Sequence, residues 1–146
     1  DHCPFCDAEK LLGAKDFRDT PNGLGVIEHR MDLLYQGVLT GEITLQRWVE
    51  LCSTTPARLF GLQGRKGIIA PGADADIVIF NPKTEHVLGA STHHMSIDYS
   101  VWEGIKVQGQ SESVMSRGSF VIRDRNFVGK PGHGEFLKRS LPEPLR

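Results

Sequence analysis

The sequence contains no apolar run approaching the ~18–20 residues that a bilayer span requires, which excludes a membrane-spanning helix, and its first residues do not resemble a signal peptide. Excess charge is also missing. Seventeen Lys and Arg against 18 Asp and Glu leave a net charge of −1, with the two signs mixed along the chain. That balance gives no electrostatic footprint for nucleic acid or for an anionic membrane surface. Cysteine is scarce: three residues without the spacing of a disulfide scaffold make a reducing, cytoplasmic compartment the expectation. Internal repeats and low-complexity segments are absent.

What is present fits one domain. A compact chain of 146 residues buries roughly two thirds of its unfolded surface. Sixteen Gly and eight Pro point to many turns rather than a helical bundle. Residues 1–23 read as loop, punctuated by Gly13, Pro21 and Gly23. Ile27, Met31 and Leu34 then recur at helical spacing, and a second helix opens near Thr44, a suitable N-cap. A third, short helix is expected with Thr55 as cap, Pro56 at its first position and Gly61 as terminator.

After Gly61 the texture changes. Ile77-Val78-Ile79-Phe80 reads as a buried strand closed by Asn81-Pro82. Val87-Leu88, Ile105-Lys106-Val107, Ser113-Val114-Met115 and Phe120-Val121-Ile122 are further strand candidates. Residues 129–146 are rich in Gly, Pro and charge and read as an extended arm. Helices first and strands second fit a single compact domain. They fit equally the last segment of a barrel followed by strands of an attached sandwich, and periodicity does not choose between the two.

The chemistry is concentrated at the start. Asp1-His2-Cys3-Pro4-Phe5 offers a carboxylate that at a strand end can bind a metal and accept a proton from water. A Pro21-Asn22-Gly23 turn follows. Together with Asp16-Phe17, Glu28-His29-Arg30, Pro56-Ala57-Arg58-Leu59-Phe60, Arg65-Lys66-Gly67, Ala75-Asp76-Ile77-Val78, Thr92-His93-His94-Met95, Asp98-Tyr99, Ser116-Arg117-Gly118 and Gly129-Lys130-Pro131-Gly132, these blocks resemble the dihydropyrimidinase/D-hydantoinase family of the amidohydrolase superfamily. The likeness runs in order along nearly the whole chain. The loop before Gly13 is slightly shorter than is usual in that family.

The resemblance implies an α/β fold. Residues 1–62 would form the C-terminal end of a TIM-type (β/α)8 metal-dependent hydrolase barrel, residues 63–128 strands of a composite β-sandwich, and residues 129–146 the arm. The chain would then begin within an active site, with the rest of the barrel preceding Asp1. The implied reaction opens a cyclic amide, a 5,6-dihydropyrimidine or a hydantoin, to an N-carbamoyl amino acid at a binuclear zinc centre bridged by a carboxylated Lys that this chain does not contain. Asp1 would be both metal ligand and general base, and backbone groups of Asn22 would hold the substrate ring. The resemblance further implies a homotetramer and a role in pyrimidine catabolism. The chain has no His-x-His, the form in which that family supplies its first two metal ligands, so the chain alone is expected to be inactive. Allantoinase and dihydroorotase share the Asp-His start but not the Cys-Pro-Phe continuation. A non-catalytic, dihydropyrimidinase-like assembly module loses the metal Asp and the Pro-Asn-Gly turn, both present here.

Other motifs have plainer readings. Cys3-Pro4-Phe5-Cys6 supplies two thiols where a structural zinc needs four ligands, and a redox pair would open a helix, which is not expected here. His93 and His94 are adjacent and, in extended chain, point to opposite faces, which suits packing and hydrogen bonding rather than chelation. His29, on the expected first helix, and His133, in the arm, read as ordinary packing or surface residues. Gly64 to Gly67 lacks phosphate-loop spacing and reads as the hinge into the strands.

Overall fold

The computed structural model describes residues 2–142. The first segment is not the open loop expected. It contains a single-turn helix α1 (Asp7–Lys10) and 3-10 turns at Leu11–Ala14 and Phe17–Asp19. Local capping explains them. The Glu9 carboxylate accepts the Cys6 N–H at 2.7 Å, and Asp16 accepts the Arg18 N–H at 3.0 Å. Turns this short show no hydrophobic period, so only the caps announce them.

Helix α2 spans Arg30–Leu39, and α3 spans Leu45–Val49 with Thr44 Oγ1 capping the Arg47 N–H at 3.1 Å, as the sequence suggested. The expected break before Thr55 does not occur. A π-turn over Glu50–Thr54 carries α3 directly into α4 (Thr55–Leu59), and Thr55 has helical angles. Pro56 is the physical cause. It has no N–H to give the preceding turn, and the widened turn lets the helix continue past it, with the Thr55 N–H donating to the Glu50 carbonyl. Gly61 ends α4 at φ +65°. A Cβ there would lie 1.9 Å from the Ser140 carbonyl oxygen. The C-terminal arm crosses at this point, held by the Ser140 N–H on the Gly61 carbonyl at 2.8 Å.

The second half is a four-stranded antiparallel sheet in chain order: β1 (Ile77–Val87), β2 (Lys106–Ser116), β3 (Ser119–Arg123) and β4 (Asn126–Phe127). Three sequence expectations need correction. Asn81-Pro82 does not close β1; the strand runs through the proline, and its pairing slips between Asn81 and Glu85. An irregular edge position tolerates a residue that cannot donate to the ladder. Val87 is the last residue of that same strand, and Leu88 follows it. The two candidates at 105–107 and 113–115 mark the ends of one strand, β2, whose middle, Gln108 to Glu112, is too polar and Gly-containing to read as strand.

Helix α2 packs on β2, and the core between them is aromatic. Tyr35, Trp48 and Phe80 meet with ring centroids 4.9–5.4 Å apart in tilted and edge-on pairs. Such pairs add about 0.5–1.5 kcal/mol each beyond their buried area. The Trp48 indole N–H donates to the Met31 carbonyl at 3.1 Å. Gln36 bridges helix to sheet, donating to the Gln108 carbonyl at 2.9 Å and accepting its N–H at 3.2 Å. Among the described residues β1 has one strand neighbour, and no helix is long and apolar enough to cross a membrane.

Candidate active-site turn

Asp1, the expected catalytic and metal-binding carboxylate, lies outside the described residues. Asn22, the expected substrate-binding residue, is exposed on a turn held by three separate anchors. The Cys3 N–H donates to the Leu24 carbonyl at 3.1 Å. The Val26 N–H donates to His2 Nδ1 at 3.3 Å. The half-buried ammonium of Lys10 donates to the Pro21 carbonyl at 2.5 Å and the Gly23 carbonyl at 2.6 Å, one on each side of Asn22. It also sits 5.2 Å from the centroid of the Phe5 ring.

Gly23 has a real conformational role. It adopts φ +117°, and a Cβ would fall 2.3 Å from Cys3 Cβ and 2.8 Å from the Cys3 carbonyl oxygen. The turn therefore presses backbone to backbone against the His2-Cys3 segment, which sets the Asn22 turn beside the segment that leads out of Asp1. The Asp7 N–H is fixed in turn on Asp98 Oδ1 at 2.9 Å, tying α1 to the 96–99 loop. Lys10 had no signature in the sequence. In an Asp-Ala-Glu-Lys run it reads as a solvated charge, and only the helical turn that reverses it over the loop brings it to these carbonyls.

The two cysteines of Cys3-Pro4-Phe5-Cys6 are free, as is Cys52. Contrary to expectation a helix does follow the pair, since Cys6 is the N-cap of α1. It is a single turn, and Cys3 is engaged through its backbone by the Asn22 turn. Arg65 and Lys66 do not form an anion cradle: Arg65 pairs with Asp74 at 2.9 Å, and Lys66 pairs with Asp74 at 2.9 Å and also with Asp76. His93 and His94 take separate partners. His93 contacts the His29 ring at 6.0 Å and accepts the Met95 N–H at 3.1 Å, while His94 is held by Glu28 at 2.8 Å. His133, in the arm, lies 3.1 Å through Nε2 from the Ser116 carbonyl. Among the described residues no group of three or more His, Cys, Asp or Glu side chains is placed to hold a metal ion.

A second feature is a cleft of about 740 Å³ between the start of α2, the end of β1 and the tip of the β3–β4 hairpin. Asp32 of α2 and His86 of β1 meet in it at 3.3 Å, and His29 lines it with 3% of its surface exposed. Burial, reinforced by the nearby Glu28 charge, pushes the Asp32 carboxyl up to about 7. Burial, with His29 and Arg125 nearby, pushes His86 below its usual value. Both shifts favour the neutral forms, an uncharged carboxyl beside an uncharged imidazole. A carboxyl that stays protonated in the fold to about 7 but ionises near 3.8 when unfolded makes stability fall as pH rises from about 4 to about 7. Asp32→Asn cannot ionise, so it should remove that fall. Urea denaturation at pH 4.5 and pH 7.5 checks it, the difference between the two pH values shifting by about 2–4 kcal/mol relative to wild type.

The Amidohydrolase family model matches residues 23–121. D-hydantoinase of Streptomyces coelicolor is 51% identical over 146 residues, which is 99% of this chain and 31% of that protein. The D-phenylhydantoinase of Escherichia coli is 48% identical over 96% of this chain and 31% of its own length. Among solved structures, dihydropyrimidinase from Brevibacillus agri superposes with a TM-score of 0.96 at 46% identity, covering 99% of this chain and 32% of that one. The chain thus spans about a third of the length of the relatives it matches.

Proposed function

Because this chain belongs to the amidohydrolase family, we propose that it is the C-terminal portion of a dihydropyrimidinase or hydantoinase. The whole protein would hydrolyse cyclic amides, 5,6-dihydropyrimidines and hydantoins, to N-carbamoyl amino acids. The observation that carries this reading is identity near 50% to D-hydantoinases over essentially the entire chain. In this reading residues 1–62 close a TIM-type barrel, residues 63–128 join strands from the preceding part of the protein in a β-sandwich, and residues 129–146 form an arm. The protein would be a cytoplasmic homotetramer of pyrimidine catabolism.

The donor set of the described residues does not by itself fit a metal pair. The described residues offer no cluster of ligands, and His2 Nδ1 is occupied by the Val26 N–H. The two zinc ions proposed for the whole enzyme would be held mainly by residues preceding Asp1, with Asp1 adding one carboxylate. Such ions polarise a carbonyl and lower the pKa of water. The part assigned to this chain is simpler. Asp1 takes a proton as water adds to the ring carbonyl. It returns that proton to the ring nitrogen as the C–N bond breaks. Asn22 holds the ring through backbone hydrogen bonds.

The test is the full-length protein assayed with dihydrouracil, hydantoin, allantoin and dihydroorotate. Formation of N-carbamoyl products from the first two is expected. Turnover of allantoin or dihydroorotate alone would replace this reading with that of the corresponding amidohydrolase, and turnover of none would leave a non-catalytic assembly role. The 146-residue chain alone should show neither turnover nor a tightly bound zinc by atomic emission after gel filtration. One carboxylate is too weak a site. More than one zinc retained per chain, together with activity, would contradict the proposal.

A further inference from the structure

We infer that Lys10 is a positioning residue for substrate, acting through the Asn22 turn. This rests on the reading that Asn22 binds the cyclic amide. The ammonium of Lys10 reaches from α1 to the two carbonyls that flank Asn22, at 2.5 and 2.6 Å. Among the described residues no carboxylate pairs with it. Its partners are two carbonyl dipoles and the face of Phe5. A charged donor is here spent on holding backbone rather than on balancing charge.

The geometry has a definite consequence for Asn22. No peptide among the described residues is cis. In a trans peptide the C=O and the following N–H point in opposite directions. Drawing the Pro21 carbonyl toward Lys10 therefore turns the Asn22 N–H away from Lys10 and toward the open side of the turn. Drawing the Gly23 carbonyl the same way turns the Leu24 N–H outward too. With both neighbouring planes fixed, the Asn22 carbonyl lies between two set peptides. Among the described residues no hydrogen bond engages Asn22, so its backbone donor and acceptor are free and pre-oriented. Pre-orientation matters because a misplacement of about 1 Å can cost on the order of 10²-fold.

Lys10→Met keeps the length of the side chain and removes the donors, while Lys10→Arg keeps charge and two forked donors. In the full-length enzyme, Lys10→Met should raise KM for dihydrouracil roughly tenfold or more with kcat changed by less than about threefold, the pattern of lost uniform binding. Lys10→Arg should recover most of it. Independently of activity, amide exchange in residues 21–25 should accelerate in Lys10→Met and remain unchanged in the sheet. KM within twofold of wild type in a folded Lys10→Met, with protection of the turn intact, would overturn the inference. Loss of fold in Lys10→Met without recovery in Lys10→Arg would also overturn it, assigning Lys10 to stability alone. If the wild-type enzyme turns over no cyclic amide, the substrate reading fails. Exchange at the turn still decides whether Lys10 sets its geometry.

Discussion

Asp1→Asn in the full-length enzyme is expected to lower kcat by about 10²–10⁴, the range for loss of a general base, or more. Amide for carboxylate keeps the shape of the side chain. It removes the proton acceptor and also a negative charge from the proposed metal centre, so both losses fall on the same step. The rest of the chain should be indifferent to the change. The Asn22 turn is anchored among the described residues by Cys3, His2 and Lys10. Circular dichroism and the melting temperature of the variant should therefore match wild type while turnover of dihydrouracil collapses. Kinetics near wild type would remove Asp1 from the role of base. Loss of fold alongside activity would make its contribution structural. Zinc content measured on the same preparations separates the two chemical losses: retained metal with collapsed kcat isolates proton transfer.

The order of motifs was the legible part of this site. Asp1, Asn22 and the Thr92-His93-His94-Met95 block stand out through their resemblance to one family, since on residue types alone each reads as ordinary loop and turn chemistry. Lys10 was not legible, because its partners are backbone carbonyls and a carbonyl has no residue identity to recognise. The Asp32–His86 contact was equally hidden. Asp32 and His86 are far apart in sequence, and the register that opposes them depends on the slip in β1 around Pro82. In the fold, Thr44 and Gly61 announced helix boundaries correctly, since a cap and a left-handed terminator are local events. Pro56 misled, since a widened turn can absorb a proline that a regular helix would refuse. The middle of β2 misled for the opposite reason. Only Glu112 of its polar residues is exposed; the Gln108 backbone bonds to Gln36, Gln110 and Ser111 line the cleft half-buried, and the glycine in that stretch packs against the aromatic rings.

That glycine sets the second large effect. Gly109 lies in β2 at φ +94°, directly beneath the aromatic cluster. A Cβ built on it would stand 2.5 Å from Tyr35 Cδ1 and 2.7 Å from Phe80 Cζ. Both rings are already fixed, Tyr35 against Trp48 at 5.4 Å and Phe80 against Trp48 at 4.9 Å, so neither can retreat without opening the contact between α2 and the sheet. Gly109→Ala therefore carries two costs, about 1–2 kcal/mol for an L residue in left-handed backbone and about 1–3 kcal/mol for overpacking. Gly118→Ala provides the control. It has φ +78° with nothing within 4 Å of its Cβ, so it carries the first cost without the second. Chemical denaturation should find Gly109→Ala less stable than Gly118→Ala by at least ~1 kcal/mol, with near-ultraviolet circular dichroism of the aromatic cluster perturbed only in the former. Equal losses in the two variants would mean that the rings yield freely and that the helix–sheet contact is looser than its geometry indicates. A larger loss at Gly109 would make α2, and the Glu28-His29 segment that leads into it, dependent on a residue that contributes no side chain of its own.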